Sequence, residues 1–168
     1  MFKKSLIASA LFVCSVNVAS AQVDVPITGN VESKCVITTD TPGIYGNPTS
    51  NKLSTAPQDG GVNPIVRYDI IEADSYKAHL SWPQEFSTSP VLNDVVNWTG
   101  VAEVAEVSDA GMADFETSKI EWDNVTEFDL TIAGSVWFKV DSTANYGFDK
   151  SFPGGIYRAA VLAECIAK

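Results

Sequence analysis

Residues 128–140 read Phe128-Asp-Leu-Thr-Ile-Ala-Gly-Ser-Val-Trp-Phe-Lys-Val140. Phe128, Leu130, Ile132, Gly134, Val136, Phe138 and Val140 share one parity. Asp129, Thr131, Ser135 and Lys139 share the other, with Ala133 and Trp137 among them. Successive side chains of a strand point to opposite faces, so a period of two held this long marks a strand with one buried face. The stretch predicts a single long strand, bent at Gly134 where the side chain is missing.

The same period recurs on both sides. Val66, Tyr68 and Ile70 alternate with Arg67 and Asp69. Tyr76, Ala78, Leu80 and Trp82 alternate with Lys77, His79 and Ser81, and Pro83 ends the run. The polar residues 72–75 between them predict a hairpin over 65–82. Near the C-terminus Tyr157, Ala159, Val161, Ala163 and Cys165 share a face, while Ile156, Ala160, Leu162 and Ile166 opposite them are apolar too. A strand apolar on both faces predicts a central, doubly covered position. Residues 40–64 and 141–155 are rich in Pro, Gly, Asn, Ser and Thr and read as irregular loop. Residues 100–118 are ambiguous, because Val101, Val104, Ala105 and Val107 fit a short helix or a strand. No stretch has the pattern of a long amphipathic helix. Short strands separated by turns predict an all-β fold, an antiparallel β-sandwich.

The first 21 residues read as a signal peptide rather than as part of the fold. Lys3 and Lys4 precede an apolar run from Leu6 to Val18, and Ala19-Ser20-Ala21 forms a small-residue cleavage site. Removing 21 of the 168 residues leaves 147, one domain with enough chain for a core. Lys3 and Lys4 leave with the leader, so 9 basic residues remain against 21 acidic ones, a balance of −12. That sign disfavours nucleic acid and anionic lipid as partners, and no later segment is apolar enough to enter a membrane.

Cys35 and Cys165 are the cysteines left after the leader, and in an oxidising compartment such a pair predicts one disulfide. Closing nearly the whole chain into a loop stabilises it by roughly 5 kcal/mol at most in the chain-entropy account. The chemistry of an enzyme is hard to find. His79 is the single histidine and lies on a polar strand face. Glu103 with Glu106, and Asp114 with Glu116, are the nearest approach to paired carboxylates, and surface acids are far commoner than catalytic ones. No metal-ligand spacing, phosphate loop or nucleophile motif occurs, so no cofactor is expected.

Val23, Val25, Ile27, Gly29 and Val31 alternate with Asp24, Pro26, Thr28 and Asn30 ahead of the first mature cysteine. One reading is an ordinary first strand paired within its own domain. The other is a donated strand, which completes the sheet of a neighbouring molecule through backbone hydrogen bonds and alternate side chains. A head-to-tail contact of that kind propagates into a filament.

With its leader, its alternating segment around Gly29, Cys35 a few residues beyond, its strand-rich middle and its alternating C-terminal strand after Gly155, the chain resembles the subunits of chaperone–usher pili. The resemblance implies an immunoglobulin-like sandwich that lacks its last strand. A periplasmic chaperone fills the gap first, and the N-terminal extension of the next subunit then replaces it at an outer-membrane usher. It makes residues 22–33 a donor-strand extension, with Val23, Val25, Ile27, Gly29 and Val31 as donor residues. It makes 34–168 the pilin-like domain, with Tyr157, Ala159, Val161 and Ala163 bordering the acceptor groove. The implied partners are copies of this chain or related pilus subunits, and the implied location is the cell surface, reached through the periplasm. The alternative is a monomeric secreted or periplasmic binding module, lectin-like. Trp82, Trp98, Trp122 and Trp137 are expected in the core or between the sheets; those left exposed would be its sugar-stacking platforms.

Overall fold

The computed structural model describes residues 34–168 together with Pro26 and Thr28. The signal-peptide call and the donor residues Val23, Val25, Ile27, Gly29 and Val31 lie outside the described residues. The strands are β1 (Cys35–Thr41), β2 (Gly46–Thr49), β3 (Lys52–Ser54), β4 (Ile65–Ile70), β5 (Tyr76–Ser81), β6 (Val96–Val107), β7 (Ile120–Trp122), β8 (Val125–Leu130), β9 (Gly134–Tyr146) and β10 (Leu162–Ala167). Helix among the described residues is confined to short turns, Pro57–Asp59, Ala110–Asp114 and Phe115–Ser118.

The fold is an all-β sandwich of two antiparallel sheets. In the first, β9 is flanked on one side by β6 and on the other by β4 and then β3, with β1 beyond β4 and β2 beyond β3. The second has the order β10-β5-β8-β7. The even-numbered faces of β4, β5, β8 and β9 meet between the sheets, where Tyr68, Leu80, Phe128, Leu130, Val136, Phe138 and Val140 are fully buried. Burying side chains of this size contributes about 1.5–3 kcal/mol each and holds the layers together.

The run 128–140 keeps its phase but is not one strand. β8 ends at Leu130 in the second sheet and β9 begins at Gly134 in the first. Residues 131–133 carry the chain across the interior edge, and the buried parity survives because each sheet turns that face inward. Gly134 takes φ +142°, and a Cβ there would stand 2.6 Å from Met112 Cε and 2.7 Å from Ser108 Oγ, so glycine is required.

Residues 65–82 are likewise not a hairpin. β4 pairs with β1 and β9, whereas β5 pairs with β10 and β8. The turn between them crosses from sheet to sheet and is fixed by Asp74, whose N–H donates to the Leu130 carbonyl at 2.8 Å.

Residues 100–118 resolve into the second half of β6 and the helical turns. The β6–β9 register shifts between Val104 and Glu106. The extra residue, Ala105, changes the inward spacing from two to three, which is why the apolar pattern resembled a helix. The segments expected to be irregular contain β2, β3 and the far half of β9. Their inward residues include Ser54, Thr55 and Ser142, whose burial is compensated locally. The Thr55 N–H donates to the Ser142 carbonyl, and the Ser142 N–H to Thr55 Oγ1, both at 2.9 Å.

The C-terminal strand is not central. Among the described residues β10 pairs with β5 alone, and its outward apolar side chains stay exposed, Leu162 at 56% and Ile166 at 39%.

Candidate functional site

β1 and β10 are edge strands of opposite sheets on the same flank of the sandwich. A disulfide joins Cys35 on β1 to Cys165 on β10, with Cα atoms 6.3 Å apart, an ordinary span for this bond. Beyond it the edges separate into a groove. Thr39, Thr41 and Pro64 stand on one side and Ala159, Ala160 and Val161 on the other, around a cleft of about 230 Å³. A second cleft of about 550 Å³ adjoins it at Gly43, Tyr45 and Ala159 and continues to Tyr157.

Of the expected acceptor residues, Tyr157, Ala159 and Val161 line these clefts, and Ala163 shares their face between Val161 and the disulfide. Tyr157, Ala159, Val161 and Ala163 are each half-buried, and Ile156, Arg158, Ala160, Leu162 and Glu164 between them are exposed. The strand ladder begins only at Leu162; the earlier part of the expected strand is held by a two-way bridge between Arg158 and Thr88. Val161, Ala163 and Cys165 pack against the core from one side, and Ile37 on β1 does so from the other. Among the described residues the sandwich seam is therefore uncovered along this flank and lined with small apolar side chains. At the wider end the floor is polar, since Tyr45 Oη lies 3.3 Å from Ser142 Oγ. Burial pushes the Tyr45 phenol up, and the Ser142 hydrogen bond partly offsets it.

Aromatic side chains cluster beside that end. Phe86 packs on Trp98 at 4.7 Å and on Tyr157 at 5.1 Å between ring centroids, and Phe152 packs on Tyr146 and Tyr157, each at 5.2 Å. The Tyr157 hydroxyl donates to the Pro153 carbonyl at 2.7 Å. Phe86 and Phe152 escaped the sequence reading because they sit in loops, where no periodicity marks them.

None of the four tryptophans joins the fully buried core. Trp82 packs against it from the rim, and Trp98 belongs to the end cluster. Trp137 lies on the outer face of the first sheet under Arg67, 5.1 Å from its ring centre, and Trp122 tilts over His79 on the outer face of the second. Half-buried Trp137 and exposed Trp122 thus face opposite ways and form no common platform.

The carboxylate pairs have structural partners. Glu103 pairs with Lys139 at 2.9 Å, and Glu116 accepts from the Val104 N–H at 2.8 Å while pairing with Lys119. His79 stands 3.7 Å from Glu127. Among the described residues no group of three or more His, Cys, Asp or Glu is placed to hold a metal ion, and no helix is long and apolar enough to cross a membrane. In comparisons with protein-family models, curated proteins and solved structures, nothing matches this chain.

Proposed function

We propose that this chain is a structural subunit of a bacterial surface pilus, polymerising by strand exchange. Its groove between β1 and β10 accepts an extended segment of a second copy, and its own residues 22–33 are the segment it donates. One observation carries the reading. Among the described residues the last strand and the segment leading into it form an edge, whose inward residues Tyr157, Ala159, Val161 and Ala163 face a seam of the core that no other described strand covers. A strand laid along residues 157–163 would pair with the backbone of this edge, and its alternate side chains would enter the seam. The alternating segment Val23–Val31 has the required period. Export, a periplasmic chaperone that covers the groove before assembly, and an outer-membrane usher belong to the same proposal.

The test is thermal unfolding and size exclusion of the exported protein with and without a peptide of residues 22–33. A rise in melting temperature on adding the peptide, and slow ladder formation without it, support the subunit reading. A monomer indifferent to the peptide overturns it in favour of a secreted binding module.

A further inference from the structure

The two edges flanking the groove converge at one end only. A strand lying between two others holds them roughly 9.5 Å apart, because each hydrogen-bonded neighbour sits about 4.8 Å away. At Cys35 and Cys165 the Cα atoms are 6.3 Å apart, so no strand passes between them. Both cysteines belong to the packed interior, Cys35 buried and Cys165 half-buried. The bond therefore crosses the seam itself and not its outer lip. Away from it the space grows, from the cleft at Thr39 and Val161 to the larger one at Tyr157. The groove is a wedge, blind at the disulfide and open at the aromatic end.

We infer that the Cys35–Cys165 bond is the end-stop of the groove, fixing how far the incoming segment of a second copy reaches and which of its residues are seated. This rests on the strand-accepting reading above. Between the stop and the open end the inward wall positions are Ala163, Val161, Ala159 and Tyr157. The segment Val23–Val31 carries five alternating positions, Val23, Val25, Ile27, Gly29 and Val31. Four of the five are seated, and one terminal position stays outside as the link between molecules. Two of the wall residues are alanines, which leave room for the branched side chains of the segment.

The experiment uses the exported, oxidised full chain, kept monomeric by dilution, and peptides of its own sequence. Peptides 23–31, 25–31, 23–29, 27–31 and 23–27 are titrated and their Kd values measured. The end-stop predicts that one of the two four-position peptides, 25–31 or 23–29, binds within about twofold of 23–31. If 25–31 is that peptide, 27–31 and 23–27 each lack one of its seated Val residues and should bind at least tenfold more weakly; if 23–29 is, 27–31 should bind at least tenfold more weakly, the loss expected for one or more buried Val. New amide-exchange protection on binding should reach Ala163 and stop short of Ile166. In the variant combining Cys35→Ala with Cys165→Ala, the fifth position should regain a tenfold contribution. The peptide series and the exchange pattern use unmodified protein, so they decide the question even if that variant does not fold. A tenfold loss in both four-position peptides, 25–31 and 23–29 alike, or protection running through Ile166, overturns the end-stop while leaving strand acceptance intact. Absence of binding by every peptide overturns strand acceptance itself, and the end-stop with it.

Discussion

Phe128 and Phe138 face each other across the interior, one from each sheet, with ring centroids 4.3 Å apart and planes inclined at 33°. Tyr68 meets the same Phe138 edge-on at 5.4 Å, so three rings tie the layers together near the middle of the sandwich. Offset and edge-on contacts of this kind add about 0.5–1.5 kcal/mol beyond the area they bury.

The phenol of Tyr68 does further work. From β4 in the first sheet its hydroxyl lies 3.3 Å from the His79 carbonyl and 3.2 Å from the Glu164 carbonyl, on β5 and β10 in the second. Burial pushes the phenol far up, so it stays protonated and able to donate. Tyr68→Phe should cost about 1–2 kcal/mol, the range for leaving a buried acceptor without its donor. Urea denaturation reads the loss, and amide exchange in β10 should quicken more than exchange in β6, which this brace does not touch.

Gly100 lies in β6 beneath Trp82, and a Cβ there would stand 2.4 Å from Trp82 Cγ and 2.7 Å from the Asp141 carbonyl oxygen. Gly100→Ala should destabilise by about 1–3 kcal/mol through overpacking. The displaced indole should also change the near-ultraviolet circular dichroism. An unchanged spectrum with unchanged stability would contradict this packing.

Asp69 accepts from Ser135 Oγ at 2.5 Å and from Arg67 Nε at 2.8 Å. Ser135, and then Arg67, hold its carboxyl below the ordinary 3.8. The hydrogen bond from Lys139 likewise holds Glu103 below 4.5. A carboxyl depressed on folding stabilises the fold above its unfolded value, and the stabilisation is lost as pH falls through the folded one. Stability should therefore be flat from pH 7 to about 5 and fall in more acid solution. Asp69→Asn should remove under about 1 kcal/mol of that fall, since the pair is partly solvent-screened. Denaturant midpoints at pH 7 and pH 3 measure it.

Ala159 lines both clefts of the groove, whereas Leu162 points outward. Ala159→Trp should fill the groove and weaken binding of the 22–33 peptide at least tenfold with the fold retained. Leu162→Ser should leave binding within about twofold. Calorimetric titration of both variants separates a blocked groove from general damage.

Alternation along the chain made the buried faces legible: the even residues from Val66 to Ile70, from Tyr76 to Leu80 and from Phe128 to Val140 are the ones turned inward. It specified the face of each strand and not its sheet. The crossings after Ile70 and after Leu130 were therefore taken for a hairpin and a bend, because a residue pointing to the core obeys the same parity in either layer. The far half of β9 stayed hidden because Ser142 and Ala144 occupy its inward positions, one polar and both small where a large apolar residue would have shown the period. The disulfide was legible from cysteine count, and the shared face of Tyr157, Ala159, Val161 and Ala163 from parity. The pinch at Cys35 and Cys165 was not, since it is a distance between strands that share no ladder.

The disulfide also bears on mechanics. It joins a residue next to Lys34 to one three places from Lys168, and 130 positions of sequence separate its two ends. Tension applied between the N-terminal segment and a strand held against β10 would pass through one covalent bond, without peeling β1 from β4. The intervening chain would stay slack. Subunits linked in series would then resist being drawn out into thread for as long as that sulfur bridge survives.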